Sequence, residues 1–339
     1  MATRVVALRP PLGLDTALTA HVADAAGLLL VVLLAGGYLA AVRVVIRAGY
    51  EWPARRSLSW LLLGVGALAV TTLGWVGAYT HTLLWVHVLQ IVLLLLVVPA
   101  LLALGRPTLL VHTLQAARGA ATPKRGMLAS RLLAPLANPL VAPALVPLAL
   151  GVVVFTAVLP VTLVSAGYND VAEVLLLGVG LLIALPLAGV GAAASSAVAL
   201  ATFVGFLELL LDAIPGFALR LRNDLLAPAW AAHVHRAWGP TPLQDQRLGG
   251  AILWALAEIL DLPFLALLVM AWIRADEREA AVTDAALDAA TLTATLTAIA
   301  PAELPTGTAT PASTERPWWE QDATVLGSTR ARSLQKRRD

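Results

Sequence analysis

Seven long apolar stretches, parted by polar or proline- and glycine-rich breaks, set the pattern of this chain: Ala25–Ile46, Leu58–Tyr79, Thr82–Leu104, Val141–Val164, Val171–Val190, Ala197–Leu219 and Leu248–Trp272. A helix needs about 20 apolar residues to cross a hydrocarbon core of roughly 30 Å. Backbone exposed to lipid must also satisfy its hydrogen bonds within its own segment, which selects helices over open strands. The pattern therefore predicts an all-α membrane protein, a bundle of seven transmembrane helices. No charge falls between Glu173 and Glu208, a run too long for one crossing. The Gly-Val-Gly-Ala-Ala-Ala-Ser-Ser segment at 189–196 supplies a turn that divides it. Pro143, Pro147 and Pro160 predict a kink in the fourth span.

The direction of the bundle follows from arginine and lysine in the short loops. Arg43, Arg47, Arg55 and Arg56 follow the first span, and Arg106, Arg118, Lys124, Arg125 and Arg131 follow the third. The loops after the second and fourth spans hold neither residue. This places the N-terminus outside and the C-terminus inside. Arg220, Arg222, Arg236 and Arg247 run against it, in a long loop that Asp224 and Asp245 partly neutralise; six spans is the alternative. The domains read as an extracytoplasmic segment 1–24, a membrane domain 25–275 and a largely disordered cytoplasmic tail 276–339, Ala- and Thr-rich and then Pro- and Thr-rich. Trp318 and Trp319 in the tail could touch the membrane surface.

Composition agrees. Apolar residues make up 59% and charged residues 13% of the chain, and mean hydropathy is +0.82. A soluble domain carries about 25% charged residues, so lipid must cover the remainder. The net charge of +2 gives no reason to expect nucleic acid, and the lack of cysteine excludes disulfides and thiolate chemistry. No phosphate loop, nucleophile elbow or paired histidines on one helix point to an enzyme.

Two polar signatures open the third and seventh spans. One is His87-Val-Leu-Gln90, continuing to Pro99 and Gly105-Arg106-Pro107; the other is Asp245-Gln246-Arg-Leu-Gly249-Gly250, continuing to Trp254 and Glu258. Together they resemble the CtaG family of bacterial assembly factors for caa-type cytochrome c oxidase, over about residues 30–275. The resemblance implies a seven-helix protein of the bacterial plasma membrane that aids maturation of a haem–copper oxidase. An oxidase subunit or another membrane assembly factor would be its partner. It also implies a copper site, which the residues do not fill. Of the expected ligands only His87 remains; Val88, Ile91, Asp170, Val174, Asp212 and Leu253 stand at the other positions. Cu(I) prefers sulfur and imidazole, so no cofactor is firmly implied and any copper would be weakly held. The expectation is a scaffold.

Two sets of residues stand outside the signatures. His233 and His235, with His87 as a third ligand, could form a relocated outer metal site, set against the ordinary occurrence of histidine in exposed loops. Glu208 with Asp212, and Glu258 with Asp261, place acids about 15 Å deep in the sixth and seventh spans. No Lys or Arg accompanies them within those spans. They read either as a polar cleft, which would suit a small transporter or channel, or as neutral acids bonding between helices. Gly249 and Gly250 read as a close-packing point and Asp245 as the N-cap of the seventh span.

Overall fold

The computed structural model describes residues 9–118, 141–187, 195–234 and 236–299. Among them the chain is helical and contains no strand. The helices are α1 Leu14–Thr19, α2 Ala25–Arg47, α3 Ala54–Tyr79, α4 Leu84–Ala103, α5 Pro107–Ala117, α6 Val141–Phe155, α7 Val158–Val164, α8 Ala166–Leu187, α9 Ser195–Leu221, α10 Pro228–His233 and α11 Pro242–Ile299. Contacts divide the chain into units 1–280 and 281–339.

Five of these helices are long and apolar enough to cross a membrane, namely α2, α3, α4, α8 and α9; the bent pair α6–α7 makes six if counted as one span. The expected seventh stretch, Leu248–Trp272, lies within α11, which is not among them. The expected turn at 189–196 falls mostly outside the described residues, as do the basic loop beyond Arg118, His235 and the Trp318-Trp319 pair. In the second unit, the described residues 281–299 are helical and solvent-exposed up to 296. The first part of the expected disordered tail is therefore helix, as its alanines favour.

Local chemistry explains the irregular helices. The break between α6 and α7 bends the chain by 66° and falls at Thr156-Ala157. Pro160 causes it: the proline has no N–H for the Thr156 carbonyl, and its ring clashes there, so a new helix starts with the proline in its first turn. Pro147, by contrast, lies inside α6 without ending it. In α4 the hydrogen bonds widen to a π-helical segment at Leu93–Val97, just ahead of Pro99. Proline removes a donor from the ladder, and such a widened turn is a common way to absorb the loss. Gly180 of α8 packs there. A Cβ at that position would collide with the Leu95 carbonyl oxygen and with Pro99.

Contacts along the helices give their directions. Gln90 meets Glu173 while Leu95 and Pro99 meet Gly180, so α4 and α8 run parallel. Trp85 meets Asp245 while Val88 meets Gly249, so the start of α11 runs parallel to both. Gly216 meets Trp254 while Arg220 meets Gly250, so α9 runs antiparallel to α11. Gly27 meets Thr72 while Leu34 accepts the Trp60 indole N–H, so α2 and α3 are antiparallel. The main apolar core gathers Leu68, Val92, Leu94, Leu95, Val98 and Leu102 with Leu150, Leu159 and Leu253.

Candidate functional site

The first signature builds a buried polar network at the start of α4. His87 and Gln90, three residues apart, turn the same face of the helix inward, and each is only 1% exposed. His87 Nδ1 lies 2.9 Å from Thr80 Oγ1, and Nε2 lies 2.8 Å from Thr162 Oγ1 on α7. Gln90 Nε2 donates to the Thr71 carbonyl oxygen at 3.1 Å and to Glu173 Oε1 at 2.7 Å. Both partners are acceptors, so the amide oxygen must face Thr80, whose hydroxyl donates to it at 2.6 Å. Having given up its hydrogen, Thr80 can only accept from His87. The imidazole is therefore fixed with its proton on Nδ1. Asn169 Nδ2 completes the set, donating to Glu173 Oε1 at 2.8 Å.

Glu173 is the exception in this network. It is 3% exposed, and its second oxygen, Oε2, has no hydrogen-bond partner among the described residues. A small cavity lies between α4, α6, α7 and α8, lined by His87, Thr162, Asn169 and Glu173 on one side and by Leu94, Val153 and Leu176 on the other. His81 lies beside the network: its Nδ1 is 2.9 Å from the Leu163 carbonyl oxygen, its own carbonyl accepts the Trp230 indole N–H, and its ring centroid is 6.5 Å from that of His87.

Sequence reasoning found His87 and Gln90 but missed Thr80, Thr162, Asn169 and Glu173. The resemblance placed Asp170 and Val174 at two of the expected ligand positions. The structure brings Asn169 and Glu173, each one residue earlier, into the network with Gln90, and leaves Val174 exposed and Asp170 half-buried. The Asn-x-x-x-Glu spacing at the start of α8, one helical turn, was the available signal.

The second signature is a clasp. Asp245 does not cap its own helix, which begins at Pro242. Its Oδ1 accepts the backbone N–H of Trp85 at 2.9 Å, capping α4, where Leu83 offers no side-chain cap. Its Oδ2 pairs with Arg236 at 2.6 Å, with both side chains nearly sealed from solvent. Burial pushes the Asp245 carboxyl above the usual range, against the opposing pull of the Trp85 N–H and of Arg236. Gln246 Oε1 accepts from the Leu226 N–H and its Nε2 donates to the Asp224 carbonyl, holding the link between α9 and α10. Gly249 and Gly250 are packing points as expected: a Cβ at Gly250 would lie 2.5 Å from the Arg220 nitrogen, and one at Gly249 3.0 Å from a Leu84 methyl. Trp254 packs on Phe217 with ring centroids 4.6 Å apart, and its indole N–H reaches Glu258 at 3.3 Å.

The remaining signature residues also have structural partners. Tyr38, stacked on Trp60 at 4.6 Å, donates its hydroxyl to the Gly105 carbonyl at 2.8 Å. Arg106 takes a left-handed conformation, φ 52°, to start α5 at Pro107. Of the acidic quartet, Asp212 is fully buried, Glu208 and Glu258 are half-buried, and the Asp261 side chain lies outside the described residues. His233 is exposed on α10 with Nδ1 2.6 Å from the Ala229 carbonyl. No three His, Cys, Asp or Glu side chains group to hold a metal among the described residues. His235, the partner of His233 in the expected relocated metal site, lies outside the described residues. His87 commits both ring nitrogens to threonines, and the groups around it are amides, hydroxyls and a carboxylate, a poor fit to Cu(I).

An all-helical, membrane-embedded protein with a buried polar network is the class this arrangement defines. The comparisons are more particular. Residues 36–275 match the family described as cytochrome c oxidase caa3 assembly factor (Caa3_CtaG), and the chain belongs to that family. It is 28% identical over 264 residues to an uncharacterized protein of Mycobacterium bovis and to one of Mycobacterium tuberculosis, covering 75% of this chain and 39% of each relative. An uncharacterized protein of Mycobacterium leprae is 27% identical over 261 residues, with the same shares. The chain therefore spans about two-fifths of the length of these relatives. No solved structure matches it.

Proposed function

We propose that this chain aids maturation of a haem–copper oxidase in the bacterial plasma membrane, as a scaffold for an oxidase subunit or another assembly factor, with weak or no copper binding of its own. Membership of the caa3 assembly-factor family carries the reading. Seven crossings, with the N-terminus outside, is the proposed topology. The helix directions support it: α2, α4, α8 and the start of α11 run one way while α3 and α9 run the other. Parallel α4 and α8 require an odd number of crossings between them, which the bent α6–α7 pair would supply as one.

The scaffold half of the proposal rests on His87, whose ring nitrogens are both spent on Thr80 and Thr162. Deleting the gene in the native host should lower oxidase activity and the oxidase haem absorbance of its membranes, and the wild-type gene should restore both. Unchanged oxidase after deletion would end the assembly reading. Metal analysis addresses the other half: copper should be well below one per chain, and His87→Ala should leave it so. About one copper per chain, lost on replacing His233 and His235, would make the protein a copper carrier instead.

A further inference from the structure

We propose that the cavity beside Glu173 binds one small monovalent metal cation, held by the unpartnered carboxylate oxygen with Thr162 and Asn169 as the neutral donors at hand. Glu173 Oε1 accepts two amide N–H groups, from Gln90 and Asn169, the arrangement that favours an ionised carboxylate. The other oxygen is buried and has no hydrogen-bond partner among the described residues, and Glu173 lines the cavity. A carboxylate at this depth is costly without a counter-charge.

Among the described residues, no Lys or Arg bonds to Glu173. Neither α4 nor α8 contains Lys or Arg. Burial works against a bare charge on Glu173, and so, to a lesser degree, does the negative potential of Asp24, at the start of α2, and of Asp170, on α8. The His87 proton is fixed on Nδ1 by Thr80, while Nε2 lies 2.8 Å from Thr162 Oγ1, a hydroxyl that also lies 2.9 Å from the Val158 carbonyl oxygen. A cation in the cavity, which has room for about one water molecule, would supply the counter-charge beside the open oxygen. One negative charge among hard oxygen donors selects a small monovalent ion over a soft one such as Cu(I). This inference and the assembly role stand or fall separately.

The test uses the full-length chain in detergent, with sodium chloride replacing choline chloride at fixed ionic strength. Raising sodium from 1 to 100 mM should lift Tm by about 3 °C or more, while Glu173→Gln, which keeps shape but not charge, should show no shift. Equilibrium dialysis against radioactive sodium should give close to one ion per wild-type chain, a measurement that needs no variant. A flat wild-type response with no bound sodium overturns the proposal. An infrared carboxylic-acid C=O band that vanishes in Glu173→Gln would overturn it too, by showing that a proton satisfies the oxygen. A sodium-dependent shift that persists in Glu173→Gln places the site elsewhere and also rejects it.

Discussion

The two signatures lie side by side at one end of α4 and differ in how completely they are satisfied. The Asp245-Gln246 clasp is closed: each carboxylate oxygen has a donor, the charge is paired with Arg236, and both ends of the Gln246 amide are bonded to backbone. Among the described residues the His87–Gln90 network leaves one buried atom open, Glu173 Oε2, on a side chain that lines a cavity. A fully paired set of polar groups rigidifies helix packing and does nothing further, whereas an unpaired buried oxygen is a standing cost that a structure tolerates at a functional position. The contrast separates the residues that hold the bundle together from those with a further task.

Removing charge should therefore hurt the clasp and spare the network. The largest loss is expected for Asp245→Ala, which strands the buried Arg236 and uncaps α4; about 3–5 kcal/mol is the usual cost of breaking such a pair. A fall in Tm of only a degree or two in detergent would show that the clasp is slack. Gln90→Leu comes next. It deprives Thr80, Thr71 and Glu173 of a partner at once, for about 2–4 kcal/mol, read as lost thermal stability and lower membrane yield.

Gly250→Ala should cost about 1–3 kcal/mol, because the added methyl meets the Arg220 backbone rather than a movable side chain. Thermal unfolding should show it, and a neutral result would mean α9 and α11 can slide apart. Glu173→Gln should change stability in sodium-free buffer by less than about 1 kcal/mol, the opposite of Asp245→Ala despite similar burial. The smallest effect belongs to Glu208→Gln with Glu258→Gln, two half-buried acids; the pair should stay within about 0.5 kcal/mol of wild type. A loss of accumulation there would reveal a charged interaction these helices depend on.

Legibility from the sequence was uneven for physical reasons. The helical class and the spans through α4 were legible because a membrane demands long apolar runs whatever the packing. The kink in the fourth span was legible through Pro160, although Pro143 and Pro147 invited the same reading. Of the network, His87 and Gln90 stood out as polar residues in an apolar run. Glu173 passed unnoticed as the last charge before a long neutral stretch, and attention went to Glu208 and Glu258 on depth alone.

Sequence alone determined the all-helical membrane class and the family signatures, since each depends on residue type and local spacing. Only the tertiary structure decided what each signature does. Asp245 sits 160 residues from the Trp85 amide it caps, and Gln90 sits 83 residues from Glu173. A one-residue change of register turns a helical side chain by about 100°, which is why Asn169 and Glu173, rather than Asp170 and Val174, reached the site. The direction of a side chain within a bundle is set by how its helix packs, and the packing at Gly180 and Pro99 fixed that rotation.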